Sequence, residues 1–158
     1  MIFGSSRDFD LLININRELL SDIVEQEVLY YKISLDDTVA NIYGESLDKS
    51  YMEPAKLNCF ITRGDQIIDV DDFGPDLGRE ASFAFIRQDL VDINVVPEVG
   101  DILVWSEDYY QVDTVRENQL MLGRDKSYNL TDYGKNFGSS LSIIVDCHLT
   151  RREVTGIE

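Results

Sequence analysis

Pro97-Glu-Val-Gly100-Asp-Ile-Leu-Val-Trp105-Ser-Glu-Asp-Tyr-Tyr110-Gln-Val-Asp-Thr-Val115-Arg-Glu-Asn-Gln-Leu120-Met-Leu122 is the segment around which the chain is organised. Pro97 and Gly100 punctuate a turn, and Asp101 to Trp105 is short, apolar and bounded, as a strand should be. Ser106 to Asp108 reads as a polar turn. Tyr110, Val112 and Thr114 then alternate with Gln111, Asp113 and Val115, the period-two pattern of a half-buried strand. A polar break at Arg116 to Asn118 leads to a third expected strand, Leu120 to Leu122, stopped by Gly123. Three short strands on tight turns make a meander, which cannot bury both of its faces alone. The rest of the chain is therefore expected to wrap it.

Working outward, 158 residues are one domain's worth, and 44% hydrophobic residues exclude wholesale disorder. Thirty acidic residues against fourteen basic ones give a net charge of −16. That field repels polyanions and anionic membranes, so nucleic-acid affinity through phosphate neutralisation is excluded. Cys59 and Cys147 are too few for a disulfide framework and are read as buried free thiols. Arg7 and Asp8 near the start, with no apolar run between charges, predict no signal peptide, and no run is long enough to span a bilayer. Cytoplasm-like conditions are the expected setting.

Residues 1–26 read as an N-terminal arm and helix, 27–150 as a β domain with long loops at 63–80 and 123–140, and 151–158 as a tail. Ile2 and Phe3 are the apolar anchors of the arm, and Leu12, Ile15, Leu19, Leu20 and Ile23 make the helical face. Glu27 to Leu35 alternates with period two, and Leu57 to Thr62, Ala81 to Arg87 and Ser142 to Thr150 are further expected strands. Asp89 to Val96 reads as a strand or an irregular approach to the meander. Arg63 to Glu80, with three glycines, Pro75 and the acidic cluster Asp69, Asp71, Asp72 and Asp76, is the least regular segment; a loop of that length is usually functional or disordered. There is no internal repeat. Six or seven short strands behind one amphipathic helix predict a mainly β fold, a small β-barrel or sandwich with an N-terminal helix and long loops.

Catalytic signals are sparse. The chain contains one histidine, His148, beside Cys147 near the end of the last expected strand. Neighbours on a strand point to opposite faces, so a Cys-His dyad is excluded there and a structural histidine is expected. Neither a GxGxxG nor a GxxxxGK[ST] loop occurs, so no phosphate cradle is signalled. Asp69 to Glu80 carries acids at loop positions one and three, glycine at six and glutamate at twelve, as a calcium-binding EF-hand loop does. Phe73 replaces the ligand at position five, Asp76 stands where an apolar residue belongs, and the flanks look like strands. The segment is read as a solvated acidic loop, with Asp69, Asp71 and Glu80 the ligands that a metal would take; no cofactor is assigned. Tyr30-Tyr31 and Tyr109-Tyr110 put one ring on each face of their strands, which points either to a partly covered outer face or to ordinary exposed tyrosine.

Several of these pieces occur together in an informative order: Asp37, Tyr43-Gly44-Glu45, Ser82 to Arg87, Pro97, Gly100 to Trp105 and Tyr110 to Val115. In this order, over roughly Ser21 to Leu149, the chain resembles the neck proteins of contractile-tailed bacteriophages, relatives of the head-closure, or stopper, proteins. The resemblance implies a small β-barrel that is no enzyme and assembles as a ring, commonly of six copies, in the virion neck after assembly in the host cytoplasm. Its implied partners are the portal–adaptor assembly, the tail or its terminator, and packaged DNA passing without sequence-specific binding. By position, Arg63, Asp69, Asp71, Asp72, Asp76 and Arg79 belong to the implied channel loop. A subunit of −16 repeated around an axis would make a negative channel along which DNA moves without sticking. Ile2 and Phe3, with Tyr128, Tyr133 and Phe137 of the 123–140 segment, are the expected docking residues. The last strand, or that segment, is the expected addition to a partner's sheet edge. Rival readings are a monomeric acidic β-barrel binding a small ligand or calcium, and a tail-terminator protein.

Overall fold

The computed structural model describes residues 6–34, 36, 38, 49–71, 74–117 and 141–157. The elements are α1 (Ser6–Glu18), β1 (Glu27–Tyr31), β2 (Ala55–Asn58), β3 (Phe60–Asp71), β4 (Gly74–Ile86), α2 (Arg87–Asp92), β5 (Ile102–Trp105), β6 (Asp108–Arg116), β7 (Ser142–Thr150) and α3 (Arg152–Thr155). The expected third meander strand at 120–122 and the turn at Tyr43 lie outside the described residues. Among the described residues no helix is long and apolar enough to cross a membrane.

All seven strands are antiparallel in one sheet ordered β2-β1-β5-β6-β7-β4-β3. The mainly β expectation holds; closure of a barrel does not, since β2 and β3 are the two ends of the sheet and do not pair. These ends are nevertheless consecutive in the chain. Cys59 alone separates Asn58 from Phe60, and its N–H donates to the Gln26 carbonyl at 3.0 Å. One stretch thus pairs with β1 through its first half and β4 through its second, which curls the sheet on itself. Arg63 of β3 accordingly lies over the Trp105 ring of β5, 5.0 Å from its centroid, although three strands stand between them in sheet order.

Inside the curl, alternate residues bury one continuous core: Val28 and Tyr30, Leu57, Ala81, Phe83 and Phe85, Leu103, Tyr110 and Val112, Ile143, Val145 and Cys147. Phe83 meets Tyr110 edge to face at 5.4 Å. Each tyrosine doublet divides as expected, Tyr30 and Tyr110 buried, Tyr31 and Tyr109 on the outer side. The simple alternation of β6 fails at one point. The register with β7 slips between Val112 and Thr114, and this bulge at Asp113 turns Val115, not Thr114, toward the core.

The Gly100-Asp101 turn is the structural centre of the opening stretch. Gly100 has φ of +99°, a conformation that costs little only without a Cβ. Its N–H donates to Val112 O at 3.0 Å, and Val112 N–H returns the bond to Asp101 O at 2.9 Å. The Asp101 side chain is fully buried. One carboxylate oxygen accepts the Tyr30 hydroxyl and the Glu98 N–H (2.9 Å), the other the Ile33 N–H (2.9 Å). A buried carboxylate with three donors fastens the exit of β1 to the turn that begins β5. Burial together with that carboxylate pushes the Tyr30 hydroxyl far above the ordinary tyrosine range. The β5–β6 connection is a turn where one was expected, but shorter: Ser106 and Glu107 alone make it, both with positive φ, and Asp108 already pairs with Trp105.

One expectation fails between these elements. Residues 87–92, in the region read as a strand or an irregular approach, open with the helix α2; Leu90 fills the core and Asp89 sits in its first turn. The tail carries the short helix α3, ended by Gly156 in the left-handed region. The odd-numbered valines and isoleucine of 89–96 suggest an extended course, but Val91 and Ile93 remain half-exposed around Leu90.

Candidate interaction surfaces

The segment read as a long irregular loop, Arg63 to Glu80, is a β-hairpin. Its arms pair in register from Gln66↔Arg79 to Asp71↔Gly74, with only residues 72 and 73 between them, and those two lie outside the described residues. Glycine and proline counts suggested irregularity, whereas Ile67, Ile68 and Val70 supply β-forming residues and Pro75 stands near the start of its strand, where a missing donor is tolerated. β7 pairs with β4 only from Glu80 onward, so residues 66–79 continue as a two-stranded ribbon past the end of the sheet. Six paired residues at about 3.4 Å each extend it by about 20 Å.

The ribbon leaves the sheet at a bulge: Gly64 and Asp65 oppose the single residue Glu80. A Cβ on Gly64 would stand 3.2 Å from the Glu80 carbonyl oxygen, so a larger residue there would have to push that carbonyl aside by a few tenths of an ångström. Both arginines of the segment are engaged at this base. Arg63 stacks on Trp105, whose ring N–H donates to Gln26 at 3.2 Å, and Arg79 meets Asp108 and Gln66, each at 3.4 Å. Trp105 and Asp108 are the pair that flanks the β5–β6 turn, so both arginines hold the ribbon to that one hairpin end. With the cations held at the base, the sequence beyond it contributes only negative charge, from Asp69, Asp71, Asp72 and Asp76.

The EF-hand-like spacing falls on this hairpin. Asp69 and Asp71 lie in β3, with Asp69 opposite Asp76, while Glu80 lies in β4 beside His148. The backbone of 69–80 is a hairpin and not the compact twelve-residue loop that encloses calcium. Asp72 and the side chains of Asp69, Asp71 and Asp76 are outside the described residues. Among the described residues no group of three acidic, cysteine or histidine side chains converges.

His148 and Cys147 point to opposite faces, as strand geometry requires. His148 is half-exposed, its Nδ1 2.7 Å from Asp113 of the β6 bulge. Next to it, Arg116 and the Ser82 hydroxyl both donate to Asp146, and the Arg116 bond holds that carboxyl below its ordinary range. Cys147 and Cys59 are free and buried; burial pushes Cys59 up to about 12 and raises Cys147 further, with Asp113 and Asp146 adding to it.

Of the expected docking residues, Ile2, Phe3, Tyr128, Tyr133 and Phe137 lie outside the described residues. The last strand does not offer an edge: β7 is interior, paired on both sides by β6 and β4, so β2 and β3 are the edges a partner strand would meet. Helix α1 also departs from expectation. Of its predicted face only Leu20 is buried, while Leu12, Ile15, Leu19 and Ile23 face outward, as does Leu11. Arg17 sets this rotation, because it forms ion pairs with both Asp89 and Asp92 of α2 and so turns that side of the helix inward. The helix then widens into a π turn, Leu19–Val24, closed by Glu25 N–H donating to Leu20 O at 3.0 Å.

No protein-family model matches this chain, and no curated protein does. Among solved structures, a chain described as "Virion of native gene transfer agent (GTA) particle" is similar over 78% of this chain and 90% of that one, at 10% identity and a TM-score of 0.48.

Proposed function

We propose that this chain is a structural, non-enzymatic connector at the head–tail junction of a tailed phage particle, forming a ring that closes the DNA-filled head and presents a docking face to the tail. The acidic ribbon at 66–79 carries this reading. The likeness to phage neck proteins implies an element reaching into a central channel, and the ribbon extends past the sheet in the segment to which that element maps. Its anchored base gives it a set direction, and its acid-rich sequence suits a wall past which DNA slides. Portal–adaptor proteins on one side, tail proteins on the other and further copies of the chain are the partners that go with this role, in the virion.

Deletion of Gln66 to Leu77 tests it. The cut joins Asp65 to Gly78 and leaves Gly64, Asp65, Gly78, Arg79 and Glu80 to connect Arg63 with Ala81, a length within the range of hairpin loops, so the sheet keeps its register from that pair onward. Particles assembled with the shortened chain are expected to form and then lose DNA, measured as nuclease-accessible DNA in purified heads. Undiminished DNA retention would remove the ribbon from head closure.

A further inference from the structure

Helix α1 and the π turn that extends it are apolar on two opposite sides. Ile13 and Leu20, with the ion-paired Arg17 between them, face the protein, whereas Leu11, Leu12, Ile15, Leu19 and Ile23 are 38% to 75% exposed on the other side. A helix with apolar residues on both sides is normally covered on both. The outward stripe runs roughly 18 Å from Leu11 to Ile23. At Leu19 it passes into a groove of about 230 Å³ between the helix and the sheet, lined also by Phe60, Phe85 and Leu141. Phe60, itself 52% exposed, lies on the free edge strand β3.

Charge along the stripe narrows what covers it. Asp8 precedes Leu11 and Leu12 by one helical turn, Glu18 follows Ile15 by three residues, and Asp22 follows Leu19 by three. Among the described cations of α1, Arg17 is turned inward to Asp89 and Asp92, leaving Arg7 at the far end. A second copy would set the same three carboxylates against these. We infer that the α1 stripe and its groove are the docking site for an amphipathic helix of a different protein, apolar along one face and edged with lysine or arginine. Ridges of such a helix pack between those of α1, and its flanking cations meet Asp8, Glu18 and Asp22. The stripe needs covering in any setting, virion or not, so peptide binding and ring formation can fail separately.

Calorimetric titration of the full chain with three synthetic peptides of about five helical turns tests this. One has a leucine face edged by lysine, one the same face edged by glutamate, and one the lysine peptide's composition scrambled so that no apolar face forms. The lysine-edged helix is expected to bind at least about tenfold more tightly than either of the others. Ile15→Glu and Leu11→Glu, both at exposed positions, should each weaken it by about tenfold with an unchanged melting temperature, while Thr62→Glu on exposed β3 should not. Equal binding of the scrambled peptide, no binding of any peptide, or insensitivity to both helix variants would overturn the inference. So would light scattering that shows a dimer which Ile15→Glu dissolves, since a second copy would then be the occupant.

Discussion

Replacing Asp101 with alanine removes the one acceptor that serves three donors inside the fold. The Tyr30 hydroxyl, the Glu98 N–H and the Ile33 N–H would all lose their partner, the hydroxyl fully buried and the two amides partly so. Hydrogen bonds to a charged group contribute about 1.5–3 kcal/mol each, and a buried donor left unpaired costs about 1–3 kcal/mol. Against these stands the cost of burying the carboxylate, several kcal/mol, which the variant no longer carries. The expected net loss is about 3–5 kcal/mol, a large part of the roughly 5–15 kcal/mol that holds a domain folded. Tyr30→Phe keeps both amide bonds and should cost less, about 1–2 kcal/mol. Asp101→Asn should fall between them, because whichever way the amide is turned its NH2 group meets a donor. Urea unfolding followed by the fluorescence of Trp105, the chain's single tryptophan, reports all three. The double-mutant cycle of Tyr30→Phe with Asp101→Ala should give a coupling of about 1 kcal/mol or more. A loss below about 1 kcal/mol for Asp101→Ala, at unchanged m-value, would refute the view that this carboxylate fastens β1 to β5.

The second buried tyrosine should behave oppositely. Among the described residues the Tyr110 hydroxyl has no hydrogen-bond partner, so Tyr110→Phe should leave stability within about 0.5 kcal/mol or raise it by about 1 kcal/mol. A loss above about 2 kcal/mol in the same urea assay would contradict this. Both thiols should resist a disulfide reagent until the chain unfolds, because the thiolate is the reactive form and burial suppresses it. The folded Cys59 value, about 12, lies above the ordinary 9.0, so its contribution to stability is complete below about pH 9 and is lost as the pH rises toward 12. Urea midpoints should therefore fall less steeply with alkalinity in Cys59→Ala than in the parent, and equal slopes would contradict the assignment.

Local pattern made the strands legible wherever one face is buried. Tyr110 and Val112 announced β6, and Val28 and Tyr30 announced β1, because period-two alternation follows directly from a half-covered sheet. The ribbon was hidden for the complementary reason. Beyond Glu80 it pairs only with itself, so no core imposes alternation, and its glycines and Pro75 read as loop. The bulge at Asp113 is invisible locally because it depends on the register with β7. Helix α1 was legible as a helix but not in its rotation, which the distant Asp89 and Asp92 fix through Arg17. Asp101 was read only as the first residue of a strand; its three donors come from positions 30, 33 and 98, which only the folded chain brings together. No sequence spacing joins Cys59 to the curl of the sheet, since β2 and β3 read as one strand there.

The most direct measurement is cryo-electron microscopy of the purified particle that contains this chain. The connector reading predicts a closed ring of copies between head and tail, with the 66–79 ribbons directed toward the axis and the α1 stripe against a different protein. A lone copy elsewhere in the particle, or a ring whose ribbons point away from the channel, would contradict it.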